Sequence, residues 1–326
     1  MGVLIVSWIA EYDVRLIVDL VDIVKGNVAR DPSMSQQVPQ IDPSEEIGFM
    51  NVDATDFASM SRASHIRHLE VEGYTVFPSI LPQEVVLRIK EELADAEMSH
   101  TSYSEYQTRA VVQPQWQSDA VAELIGFPPM ISFLEELMGP EIVFTRGFFQ
   151  RTLPGSPGIS MHTDGQPHGS NLFGYEGSCP RLLRVLYYLD ELTPDRAPFR
   201  LIARSHLSFH AAASPYVRYK SHPEEITLVV PAGSAVLVPS LLFHGSHPNK
   251  DPRPRELLQF GYRPAWAGPV QSVDEWPPEL VGNAPEVAKP FLRSLNTTGE
   301  QFEQEHKPAG MTTSAPGINP SRWGDG

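Results

Sequence analysis

The sequence predicts a mainly β chain with flanking helices, an α+β protein built on a jelly roll, and three observations carry that expectation. The 31 prolines among 326 residues are about twice the usual share, which favours turns and short strands over long helices. Helical periodicity is concentrated before Gly139. After Gly139, short β-type runs follow one another between closely spaced Pro and Gly residues, the texture of a sandwich or barrel with helices packed outside it.

Residues 3–26 place Leu16, Leu20, Ile23 and Val24 at helical spacing and predict an amphipathic helix. Residues 30–60 are rich in Pro, Ser and Asp and predict an irregular wrap or linker. A strand is expected over 73–77, then a helix over 82–97. That helix is started by Ser79 or Pro82 with early Gln83 and Glu84, and it turns Val85, Ile89 and Leu93 inward. A second helix over 130–138 stops at Gly139-Pro140. Strands follow over 142–150, 182–189, 199–203, 226–230, 234–238 and 257–262. Beyond Trp266 the chain is again Pro-rich, and 298–326 form a polar tail. The expected division is therefore an N-terminal helix and extension over 1–60, the β domain over 61–270, and a C-terminal extension over 271–326.

Charge and cysteine content remove several classes of function. With 25 Lys and Arg against 40 Asp and Glu, the net charge is −15, the wrong sign for neutralising phosphates, so no nucleic-acid partner is expected. The single cysteine, Cys179, can form no internal disulfide and no Cys-rich zinc or iron–sulfur site. No apolar run approaches the ~20 residues needed to span a bilayer. The apolar opening MGVLIVSWIA lacks a basic flank, and Val6 stands where a myristoylation pattern wants Ser or Thr. A cytoplasmic protein without a membrane partner is expected, as monomer or homodimer.

The chemistry is carried by Met161-His162-Thr163-Asp164-Gly165. Residues i and i+2 of a strand share a face, so His162 and Asp164 offer an imidazole nitrogen and a carboxylate oxygen to one metal ion. The similar pairs His68/Glu70 and His222/Glu224 lie in a turn approach and a polar loop, and are read as surface features. A second segment strengthens the first pair. An apolar run ends in His244, turn residues follow, and Arg255 opens the next strand eleven positions on. His247 competes with His244, which is preferred because it ends the apolar run. Two imidazoles and one carboxylate on one side of a metal are the facial triad of non-heme Fe(II) oxygenases. An Arg on the adjacent strand can grip the far carboxylate of a chelating 2-oxo acid. Arg253, between two prolines, and Arg263 are its rivals. Residues 165–180 form a long aperiodic segment directly after the metal motif, and His168, Phe173 and Tyr175 in it are candidates for the substrate mouth. The stretch 103–116 is a second candidate wall.

These segments together resemble the phytanoyl-CoA dioxygenase family of Fe(II)/2-oxoglutarate-dependent oxygenases, over residues 65–265. The opening HLEVEGYTVFPSILPQEVVLRIKEEL, the HTDG motif, the middle LYYLDELTPDRAPFRLIARSH and the distal His-to-Arg segment carry the resemblance, in the family's order. It implies a cupin-like double-stranded β-helix. His162, Asp164 and His244 match the iron ligands, and Arg255 the residue that holds the 2-oxoglutarate 5-carboxylate. Ser246 matches a hydroxyl that assists Arg255, and Gln150 a polar contact to the cosubstrate. Two departures concern scaffold turns: Arg196-Ala197-Pro198 replaces an Asn-Gly turn, and Ala203-Arg204-Ser205-His206 replaces Pro-Gly-Ser-His. The cofactors implied are Fe(II), 2-oxoglutarate as cosubstrate, and dioxygen. The implied function is oxidation, by default hydroxylation, of an aliphatic C–H of a small molecule, as in secondary metabolism. The alternative is a non-catalytic small-molecule-binding relative of the same fold. The acidic balance of the chain leans the substrate towards an uncharged or cationic molecule.

Overall fold

The computed structural model describes residues 50–164, 182–207, 214–217, 219–269 and 272–297. The expected N-terminal helix over 3–26 and the candidate mouth residues His168, Phe173 and Tyr175 lie outside the described residues. All the described residues belong to one compact unit, and everything below concerns that unit.

Eleven strands in the described residues form two antiparallel sheets. They are β1 (Thr75–Phe77), β2 (Met98–Thr101), β3 (Ser104–Ala110), β4 (Ile142–Thr152), β5 (Ile159–His162), β6 (Leu183–Tyr188), β7 (Phe199–Ile202), β8 (Glu225–Leu228), β9 (Ala235–Pro239), β10 (His244–Ser246) and β11 (Arg255–Pro264). The major sheet runs β1-β9-β6-β11-β4-β3-β2 and the minor sheet β5-β10-β7-β8. This is the mainly β jelly roll expected from the Pro- and Gly-punctuated runs.

Strand periodicity decides what each sheet face holds. On β11, Leu258, Phe260 and Tyr262 enter the large apolar cluster beneath the helices, while Arg255, Leu257 and Gln259 face a cleft. On β6, Leu183, Val185 and Tyr187 join the same cluster, and Arg184, Leu186 and Tyr188 face the cleft. Successive side chains point to opposite faces, so one strand serves the core and the site together. Both faces are covered, which is why these strands read as continuous apolar runs in the sequence.

The helices α1 (Arg62–Glu72), α2 (Gln83–Glu92), α3 (Asp119–Ile125), α4 (Pro128–Met138) and α5 (Pro278–Asn283) accompany the major sheet. α2 is shorter than predicted, ending at Glu92, and it buries Val86 and Ile89 with Leu93 at its cap, while Val85 is only half-buried. α1 escaped the periodicity reading because it buries only His65 and Leu69. Its end signals are conventional nonetheless: the Ser61 side chain accepts from Ser64 N, and Gly73 closes it at φ 87°. His68, read as a surface feature, is a packing residue. Its Nδ1 donates to Tyr74 O at 2.7 Å, and its ring meets Phe57 and Tyr74 edge-on. Trp276, Ala284, Ala288 and Leu292 add to the same large cluster from the C-terminal side.

Both departures from the family's turn pattern fall at left-handed backbone. Ala197 has φ 43° and Arg204 φ 66°, a region costly for a residue with a Cβ. At Arg204 the cost is offset locally. Its backbone N donates to Glu72 O, and its guanidinium makes a two-pronged pair with the Glu72 carboxylate at 2.9 and 2.7 Å.

Candidate metal and cosubstrate centre

The minor sheet brings the sequence motifs together. β5 and β10 pair antiparallel with His162 opposite His244, so two residues eighty positions apart become cross-strand neighbours with ring centroids 4.5 Å apart. Asp164, just past the end of β5, donates its backbone N to Ser240 O and turns its carboxylate back towards both rings. His162 Nε2 lies 3.8 Å from Asp164 Oδ1, and His244 Nε2 lies 3.5 Å from Asp164 Oδ2. The three ligand atoms all fall within 4.8 Å of one another. Three donors on one side of an ion, at bond lengths of ~2.1 Å, sit about 3 Å apart, so a small closure completes the set.

The imidazole tautomers suit a metal. His162 Nδ1 is 2.9 Å from Ser160 O and His244 Nδ1 is 2.9 Å from Leu242 O. A carbonyl only accepts, so Nδ1 carries the proton in both rings and the Nε2 lone pairs face the cluster. Phe199 stacks on the His244 ring at 5.5 Å and fixes its plane. Burial pushes the Asp164 carboxyl up, but His244, Arg184, His162 and Arg146 outweigh it and pull its pKa down to about 2. It is therefore a carboxylate anion throughout the neutral range. Arg184 Nε lies 2.5 Å from Asp164 Oδ2. Sequence reasoning passed over Arg184, whose signal is an arginine within the buried run Leu182 to Leu189.

His247 is elsewhere. It is buried, with Nε2 2.8 Å from Thr227 Oγ1 on β8. Arg253 is exposed and paired with Asp251 at 2.8 Å. Arg263 is buried and donates to the carbonyls of Pro264, Ala265 and Leu295, a structural anchor for the C-terminal segment.

Arg255 is different from both rivals. It is 4% exposed, its Nη2 donates to Thr152 Oγ1 at 2.8 Å, its guanidinium lies over the Tyr188 ring at 5.4 Å, and its Nε is buried without a partner. Among the described residues no carboxylate pairs with it. Burial pulls its pKa down, against smaller opposing effects of Tyr188 and Asp190. Thr152 in turn donates to Gln107 Oε1, which also lies 3.5 Å from Gln150 Nε2. Ser246 is buried and its hydroxyl accepts from Ile159 N at 3.1 Å. His162, Asp164, His244, Ser246, Gln150 and Arg255 all line one cleft of about 550 Å³, mouth included. Apolar walls come from Leu186, Tyr188, Phe199 and Leu257, and Tyr103 and Arg109 from the β2–β3 hairpin complete it.

A two-sheet jelly roll with a His-Asp-His cluster and, in the same cleft, a buried arginine that no carboxylate among the described residues pairs with defines a class: the non-heme Fe(II)- and 2-oxoglutarate-dependent enzymes. The chain belongs to the phytanoyl-CoA dioxygenase (PhyH) family, whose model matches residues 69–257. Among solved structures it is similar to the α-ketoglutarate-dependent epimerase SnoN from nogalamycin biosynthesis, at 18% identity and TM-score 0.55, over 73% of this chain and 96% of that one. It is also similar to HygX from Streptomyces hygroscopicus with nickel, 2-oxoglutarate and hygromycin B bound. That match has 16% identity and TM-score 0.52, over 63% of this chain and 88% of that one. At these identities the likeness is one of fold. No curated protein matches the sequence. No helix among the described residues is long and apolar enough to cross a membrane.

Proposed function

We propose that this enzyme hydroxylates an aliphatic C–H of a small molecule, with Fe(II) on His162, Asp164 and His244 and 2-oxoglutarate anchored through its 5-carboxylate by Arg255. The observation that carries the reading is the buried arginine, without a carboxylate partner among the described residues, in the same cleft as the three candidate ligand atoms. A dicarboxylate that reaches Arg255 at one end leaves its 2-oxo acid end for the metal. When bound, iron and 2-oxoglutarate supply oxidation by dioxygen with release of succinate and carbon dioxide.

The chain's own contribution is placement. The Ser160 and Leu242 carbonyls hold the two imidazoles in the metal-binding tautomer. Arg184 holds the Asp164 carboxylate ionised. Ser246 and Gln150 supply polar groups beside the cosubstrate, Thr152 holds the Arg255 guanidinium from behind, and Leu186, Leu257 and Phe199 keep the walls dry. The fold shared with HygX, solved with hygromycin B, and with an epimerase of nogalamycin biosynthesis supports a substrate from secondary metabolism.

The test is an anaerobic titration of the apoprotein with Fe(II) and 2-oxoglutarate, followed by admission of air with candidate substrates. A visible metal-to-cosubstrate charge-transfer band, succinate release and a product one oxygen heavier are expected. Absence of the band in the intact chain removes the reading. Succinate release with an epimerised, cyclised or desaturated product keeps the enzyme class and replaces hydroxylation.

A further inference from the structure

Three arginines, Arg109, Arg184 and Arg255, line the cleft, and Asp164 is the one carboxylate lining it among the described residues. Arg184 is matched by Asp164 at 2.5 Å. Arg255 is matched, in the reading above, by the cosubstrate. Arg109 is left over. Its Nη2 donates to Tyr103 Oη at 3.1 Å, its Nε is buried without a partner, and no described carboxylate pairs with it.

Arg109 is also held in place. Its guanidinium lies over the Phe148 ring at 4.7 Å and near the Tyr103 ring at 5.8 Å. Cation–π contact fixes the plane of the guanidinium and leaves its edge for a planar acceptor. Register places it beyond the cosubstrate residues: Arg109 is the cross-strand partner of Gln150 on β4, and Gln150 that of Leu257 on β11. Tyr103, its hydrogen-bond partner, is 39% exposed, so this wall of the cleft reaches solvent.

We infer that Arg109, with Tyr103, is the recognition element for a carboxylate on the primary substrate, which makes the substrate an organic acid. This rests on the proposed function and reverses the lean towards an uncharged or cationic molecule drawn from the net charge of −15. Net charge averages over the surface, whereas a low-dielectric cleft concentrates the field of the few charges that line it.

The experiment uses the full chain loaded anaerobically with Fe(II) and 2-oxoglutarate, reading the perturbation of the charge-transfer band by added organic compounds. The probes are decanoate and cinnamate against decanamide and cinnamamide, which share shape and differ in charge. The acids are expected to bind on the order of ten- to a hundredfold more tightly than the amides, and more weakly at high salt. Arg109→Gln should erase the acid preference and leave the 2-oxoglutarate affinity unchanged, while Arg109→Lys should keep part of it. The wild-type contrast needs no variant, so a misfolded Arg109→Gln does not rescue the idea. If the band forms and amides match acids, or no acid binds, the inference falls and the proposed function stands. A loss of 2-oxoglutarate affinity in Arg109→Gln assigns the residue to the cosubstrate and also overturns it. Absence of the band in wild type removes both.

Discussion

Replacing Arg255 by Met separates its cost to folding from its use in binding. The guanidinium is buried at 4% exposure with one hydrogen bond to Thr152 and no counter-ion among the described residues. In the ligand-free protein it is therefore a penalty, and Met of similar length removes it. Thr152 Oγ1 keeps its bond to Gln107 at 2.9 Å, so the substitution strands no polar group there. The metal-free variant should be at least as stable as wild type, with a gain of about 1 kcal/mol or more in reach and Tm higher by roughly 2–4 °C. Binding should move the other way. Removing one partner of a buried charge pair costs about 3–5 kcal/mol, or about 10²- to 10³-fold or more in 2-oxoglutarate affinity. Fe(II) affinity should be unchanged, because Arg255 bonds Thr152 and lies over Tyr188, neither of which is one of the three candidate iron ligands. Pyruvate, which lacks the distal carboxylate, should lose most of its disadvantage. The assays are thermal unfolding of apoprotein and anaerobic calorimetry with Fe(II) present. A 2-oxoglutarate Kd within about threefold of wild type would refute the reasoning and transfer the role to Arg109 or Arg184.

His162→Ala and His244→Ala should each abolish stoichiometric Fe(II) binding and turnover with an unchanged far-ultraviolet dichroism spectrum, since strand hydrogen bonds need no metal. His247→Ala should retain iron, and iron loss there with retention in His244→Ala would reassign the ligand. Arg184→Gln should weaken Fe(II) binding by about 10–100-fold by releasing the Asp164 carboxylate, measured by chelator competition; an unchanged affinity shows that Asp164 needs no such support. Acid stability should report His247, whose pKa is lowered to about 4 by burial, with Arg200 and Lys250 adding to the effect. Its neutral form is the folded form, so its contribution is complete above the unfolded value of 6.5 and is lost as pH falls towards 4. That is on the order of 3 kcal/mol across the window. His247→Gln should flatten the dependence of urea midpoint on pH there. A residual slope of the same sign comes from His65 and His206, both also lowered by burial, and an unaltered slope would exclude His247.

What the amino-acid sequence determined by itself was local and periodic. The apolar strands 183–188, 235–239 and 255–264 announced themselves because both their faces are covered, and α4 because its apolar spacing runs into Gly139. The His-x-Asp spacing marked the pair, but not by the strand period the sequence suggested: β5 ends at His162, and Asp164 turns its carboxylate back from a bend held by Ser240 O. The hairpin β2–β3 was not legible, because its polar residues follow no period and its neighbours in space are distant in sequence. Only the tertiary structure decided which distal histidine meets the pair. The β5–β10 register sets His244 opposite His162, while His247, three residues on, bonds Thr227 on β8. The same is true of the arginines. Arg109, Arg184, Arg253, Arg255 and Arg263 are alike in the chain, and what distinguishes them is the partner each finds among the described residues: a tyrosine, Asp164, Asp251, a threonine hydroxyl without a carboxylate, and backbone carbonyls. Charge pairing is a property of distance and dielectric, and both are set by how strands far apart in sequence pack side by side.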